Sequence, residues 1–332
     1  MDNKPIRQYS NTPVRLLVTG GAGFIGSHVV LDAIEKGYEV VNLDLLTYAA
    51  NLDYLKPVED HPNYKFVKGD IRDKKFLENL FETEKFEAVI HLAAESHVDF
   101  SITNPSIFIE TNVLGTEYLL EQAHKFEVKK FIHVSTDEVY GELKLDEPGF
   151  DENHHLRPNS PYSASKTASD LLVRAFVKTF GLNACITRCS NNYGPHQDTS
   201  KLLPKVITNA LAGKKIPIYG KGEQIRDWLF VKNHSDAILT VLEKGEKGEI
   251  YNIGGNNEQT NIDIVRKILK ILGKSDDLLE YVADRLGHDF RYAIDSGKIK
   301  KELGWVADQD FDKMLEETIC FYETLQDNKT TR

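Results

Sequence analysis

The 332 residues leave room for one large core or two fused ones, and 41% hydrophobic with 28% charged residues marks a folded body rather than a disordered chain. A formal net charge of -10 with a pI near 5.6 excludes the broad basic face of a nucleic-acid binder, so a phosphate-bearing ligand has to be held by local groups. No stretch reaches the roughly 18 to 20 consecutive apolar residues of a membrane span. The opening MDNKPIRQYSNTPVR lacks the apolar centre of a secretory signal, so the cytoplasm is the expected location.

In chain order, residues 1–13 read as a loose extension. From Val14 short apolar runs alternate with helical stretches: VRLLVTG, FIGSHVVLDAIEKG, YEVVNLD, FEAVIHLA, TNVLGTEYLLEQAHKF and KKFIHVS. Strands apolar on both faces and separated by helices predict an α/β fold, a Rossmann-like doubly wound parallel sheet over residues 14–190. Past Asn191 loops dominate, with helical KLLPKVITNALAG and NIDIVRKILKILG between them, which predicts a smaller C-terminal substrate-binding lobe over 191–332. Within it, residues 228–255 read as helix then strand and are expected to return to the first sheet. No repeat or low-complexity tract interrupts the chain. The cysteines Cys185, Cys189 and Cys320 form no CxxC pair, and His154 and His155 sit in a polar loop without flanking ligands, so neither a disulfide framework nor a metal is expected.

Gly20, Gly23 and Gly26 in TGGAGFIG follow a strand and open a helix, where glycines let the backbone approach a pyrophosphate at the helix N-terminus. The next strand ends in Asp44, 18 residues after Gly26. A carboxylate there accepts bonds from ribose hydroxyls and repels a 2'-phosphate, which favours NAD over NADP.

Tyr162 and Lys166 in YSASK lie four apart at a helix start and so share a face; the ammonium is expected to lower the phenol pKa toward that of a base. STDEVYG, at the end of the strand KKFIHV, places Asp137 beside Glu138. Adjacent carboxyls can be split into one ionised and one protonated group, the pair that an elimination of water requires.

The GxxGxxG spacing with YSASK resembles the short-chain dehydrogenase/reductase superfamily, and with STDEVYG the chain resembles its extended branch of NAD-dependent sugar epimerases and dehydratases, specifically the dTDP-glucose 4,6-dehydratases. The resemblance runs from Val14 to about Tyr322. It implies a hydro-lyase that oxidises carbon 4 of the hexose, eliminates water across carbons 5 and 6 and returns hydride to carbon 6. Tyr162 would be the base for the carbon 4 hydroxyl, oriented by Thr136 and assisted by Lys166; Glu138 would take the carbon 5 proton and Asp137 would protonate the carbon 6 hydroxyl.

By the same resemblance NAD would be held by Gly20, Gly23, Phe24, Ile25, Gly26, Asp44, Leu45, Leu46, Thr47, Asp70, Ile71, Leu92, Ala93, Ala94, Ser96, Thr111, Tyr162, Lys166 and Asn192. The sugar nucleotide would meet Ser96, Thr136, Asn191, Lys201, Leu202, Pro217, Tyr219, Arg226, Asn261, Arg285 and His288. Arg226 suits a diphosphate, and Tyr219 a pyrimidine ring. The chain departs from the family's HVDRS, AGNL and DRPGHDRR at Phe100, Ala50, Leu286 and Phe290, none of them a proton-transfer position. Family members pair through two helices each, which implies a homodimer, and their product feeds deoxysugar synthesis such as that of dTDP-rhamnose. Two other readings stay open: a UDP-sugar 4-epimerase, which would use the tyrosine, lysine and NAD without the acid pair, and a catalytically idle NAD-binding protein.

Overall fold

The computed structural model describes residues 13–284 and 289–330. Strand β1 (Arg15–Thr19) shows why the chain folds as two layers on one sheet. Side chains alternate across a strand, so Leu16 and Val18 join a core with Val29, Val30 and Ala33 of α1 (Phe24–Glu35), while Leu17 faces a second core on the other side. Burying each such side chain contributes roughly 1.5 to 3 kcal/mol.

The pattern continues through β2 (Glu39–Asp44), β3 (Tyr64–Lys68), α2 (Lys74–Glu84) and β4 (Ala88–His91). Short helices α3 (Val98–Thr103) and α4 (Pro105–Phe108) lead into a π-helical stretch, Ile109–Gly115, and then α5 (Thr116–Lys125). The sequence predicts one regular helix over TNVLGTEYLLEQAHKF; the structure widens its first turns. There the Asn112 side chain is buried and bonds outward, its Oδ1 accepting from Glu95 N at 2.8 Å and its Nδ2 donating to Glu95 O at 3.0 Å and Ser165 Oγ at 2.9 Å. Such π-bulges commonly mark functional sites.

Next come β5 (Lys130–Thr136), α6 (Pro161–Phe180), β6 (Ala184–Cys189), β7 (Asn191–Tyr193), α7 (Leu202–Leu211), β8 (Ile216–Tyr219), β9 (Ile225–Phe230), α8 (Val231–Lys244), β10 (Ile250–Ile253), β11 (Glu258–Thr260), α9 (Asn261–Ile271), β12 (Leu279–Val282), β13 (Arg291–Tyr292), α10 (Gly297–Leu303) and α11 (Phe311–Thr330). The main sheet has the order β10-β6-β5-β4-β1-β2-β3, and every pairing in it is parallel. This is the expected doubly wound architecture. Helices α1 and α8 cover one face, and α2, α5 and α6 the other.

Strand β10 joins the sheet beside β6, and α8 packs on α1, so part of the chain beyond residue 190 belongs to the first body. Strands β7, β11 and β13 pair with β9, β12 pairs with β8, and α7, α9 and α11 enclose a third core around Tyr193, Trp228, Ile264 and Leu315. Strand order reverses between β1 and β4. Ligands of open α/β sheets bind beyond the carboxyl ends of the strands at such a reversal.

Candidate active site

A cavity of about 580 Å³ opens there, between the sheet and the β6–α7 region. Its floor is the turn from β1 into α1. Gly20 has a φ of +74° and an added Cβ would stand 2.7 Å from the Ala93 nitrogen; an added Cβ at Gly26 would collide with the Gly20 carbonyl. Side chains are therefore excluded and the first amides of α1 stay open toward the cavity, a cradle suited to a diphosphate. At the end of β2, Asp44 accepts from Ala22 N at 3.0 Å through one oxygen and from Leu46 N at 2.8 Å through the other. Burial raises its pKa despite those two amides. Leu46 adopts a left-handed φ of +59° to make its bond.

The candidate proton-transfer residues come from two neighbouring elements. Ser160 caps α6 by accepting from Ser163 N at 3.1 Å, the Ser163 hydroxyl accepts in return from Ser160 N at 3.0 Å, and Pro161 sits at the first helical position. This fixes the helix start and so puts Tyr162 and Lys166 on one face, both against the cavity. Lys166 is buried and donates to Val134 O on β5 at 2.8 Å; burial lowers its pKa to about 8. The sequence expectation that the ammonium would lower the phenol pKa does not hold for the protein by itself. Burial, and next the Glu138 carboxylate, push Tyr162 well above its ordinary value, while Lys166 is engaged by a backbone carbonyl.

Strand β5 ends in Thr136, which caps a one-turn 3-10 helix, Asp137–Val139, by accepting from Glu138 N at 3.3 Å. Asp137 is only 3% exposed; its Oδ1 accepts from the Thr136 hydroxyl at 3.3 Å and its Oδ2 has no hydrogen-bond partner among the described residues. Burial first, then the negative charges of Glu138 and Asp227, hold it well above the usual carboxylate range. The turn thus holds a carboxyl whose neutral form is favoured by burial beside a second carboxyl.

Of the sequence-predicted NAD residues, all but Leu46 line the cavity, and Leu46 acts through its amide on Asp44. Of the substrate set, Ser96, Thr136, Asn191 and Lys201 line it. Leu202, Pro217, Tyr219, Arg226 and Asn261 do not. Leu202 packs on the third core, Tyr219 is exposed, and Asn261 opens α9 with its N–H bonded to Gln224 O. Arg226 is buried, donates to the carbonyls of Ile225, Phe290 and Asp289 at 2.7, 3.2 and 2.8 Å, and stacks 4.5 Å from the Tyr292 ring centroid. Arg285, His288 and Leu286 lie outside the described residues.

Sequence reasoning missed Glu95, Ser135, Cys189, Ser190 and Gln197, all of which line the cavity. Glu95 and Ser135 directly precede residues that were singled out, Glu95 in the loop after β4 and Ser135 at the carboxyl end of β5, and their nearness to those residues was the signal that could have found them. Cys189 pairs with Thr136 across β5 and β6, and burial pushes its thiol up to about 12. Nothing local in CSNNYG signals that register.

Fold and site together define an extended short-chain dehydrogenase/reductase of the sugar-nucleotide type. Within that class, the chain belongs to the family described as GDP-mannose 4,6 dehydratase, whose model matches residues 17–318. The dTDP-glucose 4,6-dehydratase of Escherichia coli is 48% identical over 338 residues, 93% of each chain, and that of Haemophilus influenzae is 48% identical over 93% of this chain and 98% of its own. The structure of the Streptomyces venezuelae dTDP-glucose 4,6-dehydratase, solved with NAD bound, matches at a TM-score of 0.91 and 46% identity, over 95% of this chain and 98% of that one. A UDP-glucose 4-epimerase of Thermotoga maritima shares the fold at a TM-score of 0.89 but only 32% identity, over 94% of this chain and all of its own.

Proposed function

We propose that the protein is a hydro-lyase that converts dTDP-glucose to dTDP-4-keto-6-deoxyglucose with NAD as its resident cofactor. The residues present fit NAD: glycines clear the pyrophosphate path, and Asp44 stands at the end of β2 where a 2'-phosphate would meet a carboxylate. When bound, NAD supplies the oxidising equivalent taken up from carbon 4 and given back at carbon 6. The chain itself moves the protons. Tyr162, next to Thr136, takes the proton of the carbon 4 hydroxyl, and Lys166 provides the positive charge that a phenolate needs at such a buried site. The carbon 4 ketone acidifies the proton on carbon 5, which Glu138 removes. Asp137 gives its proton to the departing carbon 6 hydroxyl, and water leaves.

The observation that carries this reading is Asp137. Its burial, and an oxygen with no partner among the described residues, favour a carboxyl in its neutral form within the cavity, which serves elimination and is of no use to an epimerase. Near 50% identity to dTDP-glucose 4,6-dehydratases over nearly the whole chain supports the same reaction over the epimerase alternative. Ser96, Thr136, Asn191 and Lys201 are the substrate contacts the proposal rests on, with residues 14–190 holding the cofactor and the 191–332 lobe the sugar nucleotide. Incubating the protein with dTDP-glucose, UDP-glucose or GDP-mannose and reading the alkali-induced absorbance of a 4-keto sugar tests it. The signal is expected with dTDP-glucose foremost; epimerisation or no turnover would leave all three dark.

Two coarser inferences accompany it. Exposed Ile109, Leu114 and Leu171 on the π-helical stretch and α6 leave an apolar stripe suited to pairing two copies through a four-helix interface. No helix among the described residues is long and apolar enough to cross a membrane, and a cytoplasmic place in deoxysugar synthesis, that of dTDP-rhamnose included, suits the proposed product.

A further inference from the structure

Behind the acid turn runs a buried polar chain that the proposed chemistry does not use. Arg188 on β6 donates from Nε to Asp170 Oδ2 at 2.9 Å and from Nη1 to the Tyr140 hydroxyl at 2.8 Å, and that hydroxyl donates to Asn252 Oδ1 on β10 at 2.8 Å. Asp170, Arg188, Tyr140 and Asn252 are 1%, 3%, 1% and 0% exposed. The guanidinium carbon also lies 4.8 Å from the Tyr140 ring centroid, so the arginine grips that ring by its face as well as its hydroxyl.

Two members of this chain, Tyr140 and Asp170, adjoin proton-transfer groups. Tyr140 follows Glu138 by two residues and closes the acid turn, its N–H donating to Asp137 O at 2.9 Å. Asp170 lies four residues beyond Lys166 on α6, on the same helix face one turn further along. The path Asp170, Arg188, Tyr140 therefore ties the helix that carries the base to the turn that carries the two acids. Stability alone is a weak reason for it. A buried ion pair is often matched or bettered by apolar residues of equal volume, whereas shifting one partner leaves a buried charge uncompensated. The second property makes it a stiff spacer.

We propose that Tyr140, held by Arg188 and Asn252, is a positioning residue for the elimination step: it fixes Asp137 and Glu138 in register with Tyr162 and Lys166. This rests on the dehydratase reading. Oxidation at carbon 4 draws on the α6 pair and Thr136 at the end of β5 but not on the two acids, while loss of water needs the acids aligned as well, and a misplacement of about 1 Å can lower a rate by ~10²-fold. Loosening the brace therefore uncouples the two steps.

Tyr140→Phe removes only the hydroxyl, and Asn252→Ala removes one of its partners while leaving Tyr140 in place, so the second variant decides the matter if the first does not fold. Each is run beside the wild-type holoenzyme with dTDP-glucose, and the near-ultraviolet absorbance of reduced nicotinamide is followed during turnover. The expected result is a kcat about 10-fold lower with unchanged KM, and reduced nicotinamide building up in the variants but not in the wild type. Wild-type kcat in a folded variant, or a lower kcat with no build-up, overturns the brace. A wild-type protein that releases no 4-keto sugar instead contradicts the dehydratase reading, which the parallel run makes plain.

Discussion

A carboxyl at 3% exposure, bonded through one oxygen to a threonine hydroxyl and through the other to nothing among the described residues, has little to stabilise it as an anion. That is why Asp137 is proposed as the acid. Asp137→Asn keeps the shape and removes the proton, so 4-keto product formation should fall by ~10² to 10⁴-fold while NAD binding holds; undiminished product would contradict the assigned role. Lys166 argues the same point for a base-side residue. Its folded pKa lies near 8, against 10.5 for a free lysine, so the folded state binds its proton less tightly than the unfolded chain does. The resulting destabilisation, about 3 kcal/mol, is fully present below pH 8 and is relieved as the pH rises from 8 to 10.5. Lys166→Met should therefore melt above the wild type at pH 7, by an amount that shrinks across that window, and be catalytically impaired. Thermal unfolding of both proteins from pH 7 to 10 checks this, and a variant that melts lower at pH 7 would count against it.

Elements, rather than single residues, decide where these groups meet. The turn from β1 into α1 was legible because its chemistry is local: a strand, glycines that must stay bare, and an acid at the end of the next strand. Asp44 nonetheless has an internal duty the spacing did not reveal, since both its oxygens hold amides of the surrounding loops. Asp44→Ala should thus relax the preference for NAD over NADP and also weaken NAD by about 10-fold through the loosened loops. Titrations with both cofactors read the two effects, and a variant still blind to NADP would contradict the first. The start of α6 was legible for a similar reason, its Ser-Pro opening and Tyr-to-Lys spacing being carried within one turn. The π-helical stretch was not. Asn112 reads as an ordinary helix residue until Glu95 and Ser165, both distant in sequence, are brought against it. The carbonyl partners of Arg226 were hidden in the same way, because Asp289 and Phe290 arrive only when the strand containing Arg291 pairs with β9.

At the scale of the whole molecule, the parallel sheet supplies a cleft and the later chain supplies its far wall, with β10 and α8 stitched back into the first body. Sequence periodicity conveyed the sheet, whereas the lining by Cys189, Ser190 and Gln197 depends on how β6 leaves the sheet and could not be counted from spacing. The apolar stripe at Ile109, Leu114 and Leu171 implies a particle of twice the 37.7 kDa chain mass by light scattering at micromolar concentration, and Leu171→Glu should shift it toward the single chain. A wild-type mass of one chain would remove the dimer from the account. The fold is shared with 4-epimerases, so the sheet alone cannot decide the reaction. The decisive measurement is the mass spectrum of the product formed from dTDP-glucose in heavy water. A dehydratase built on Asp137 and Glu138 gives a product lighter than its substrate by one water and labelled with deuterium at carbon 5; a product of unchanged mass with no label at that carbon would contradict the account.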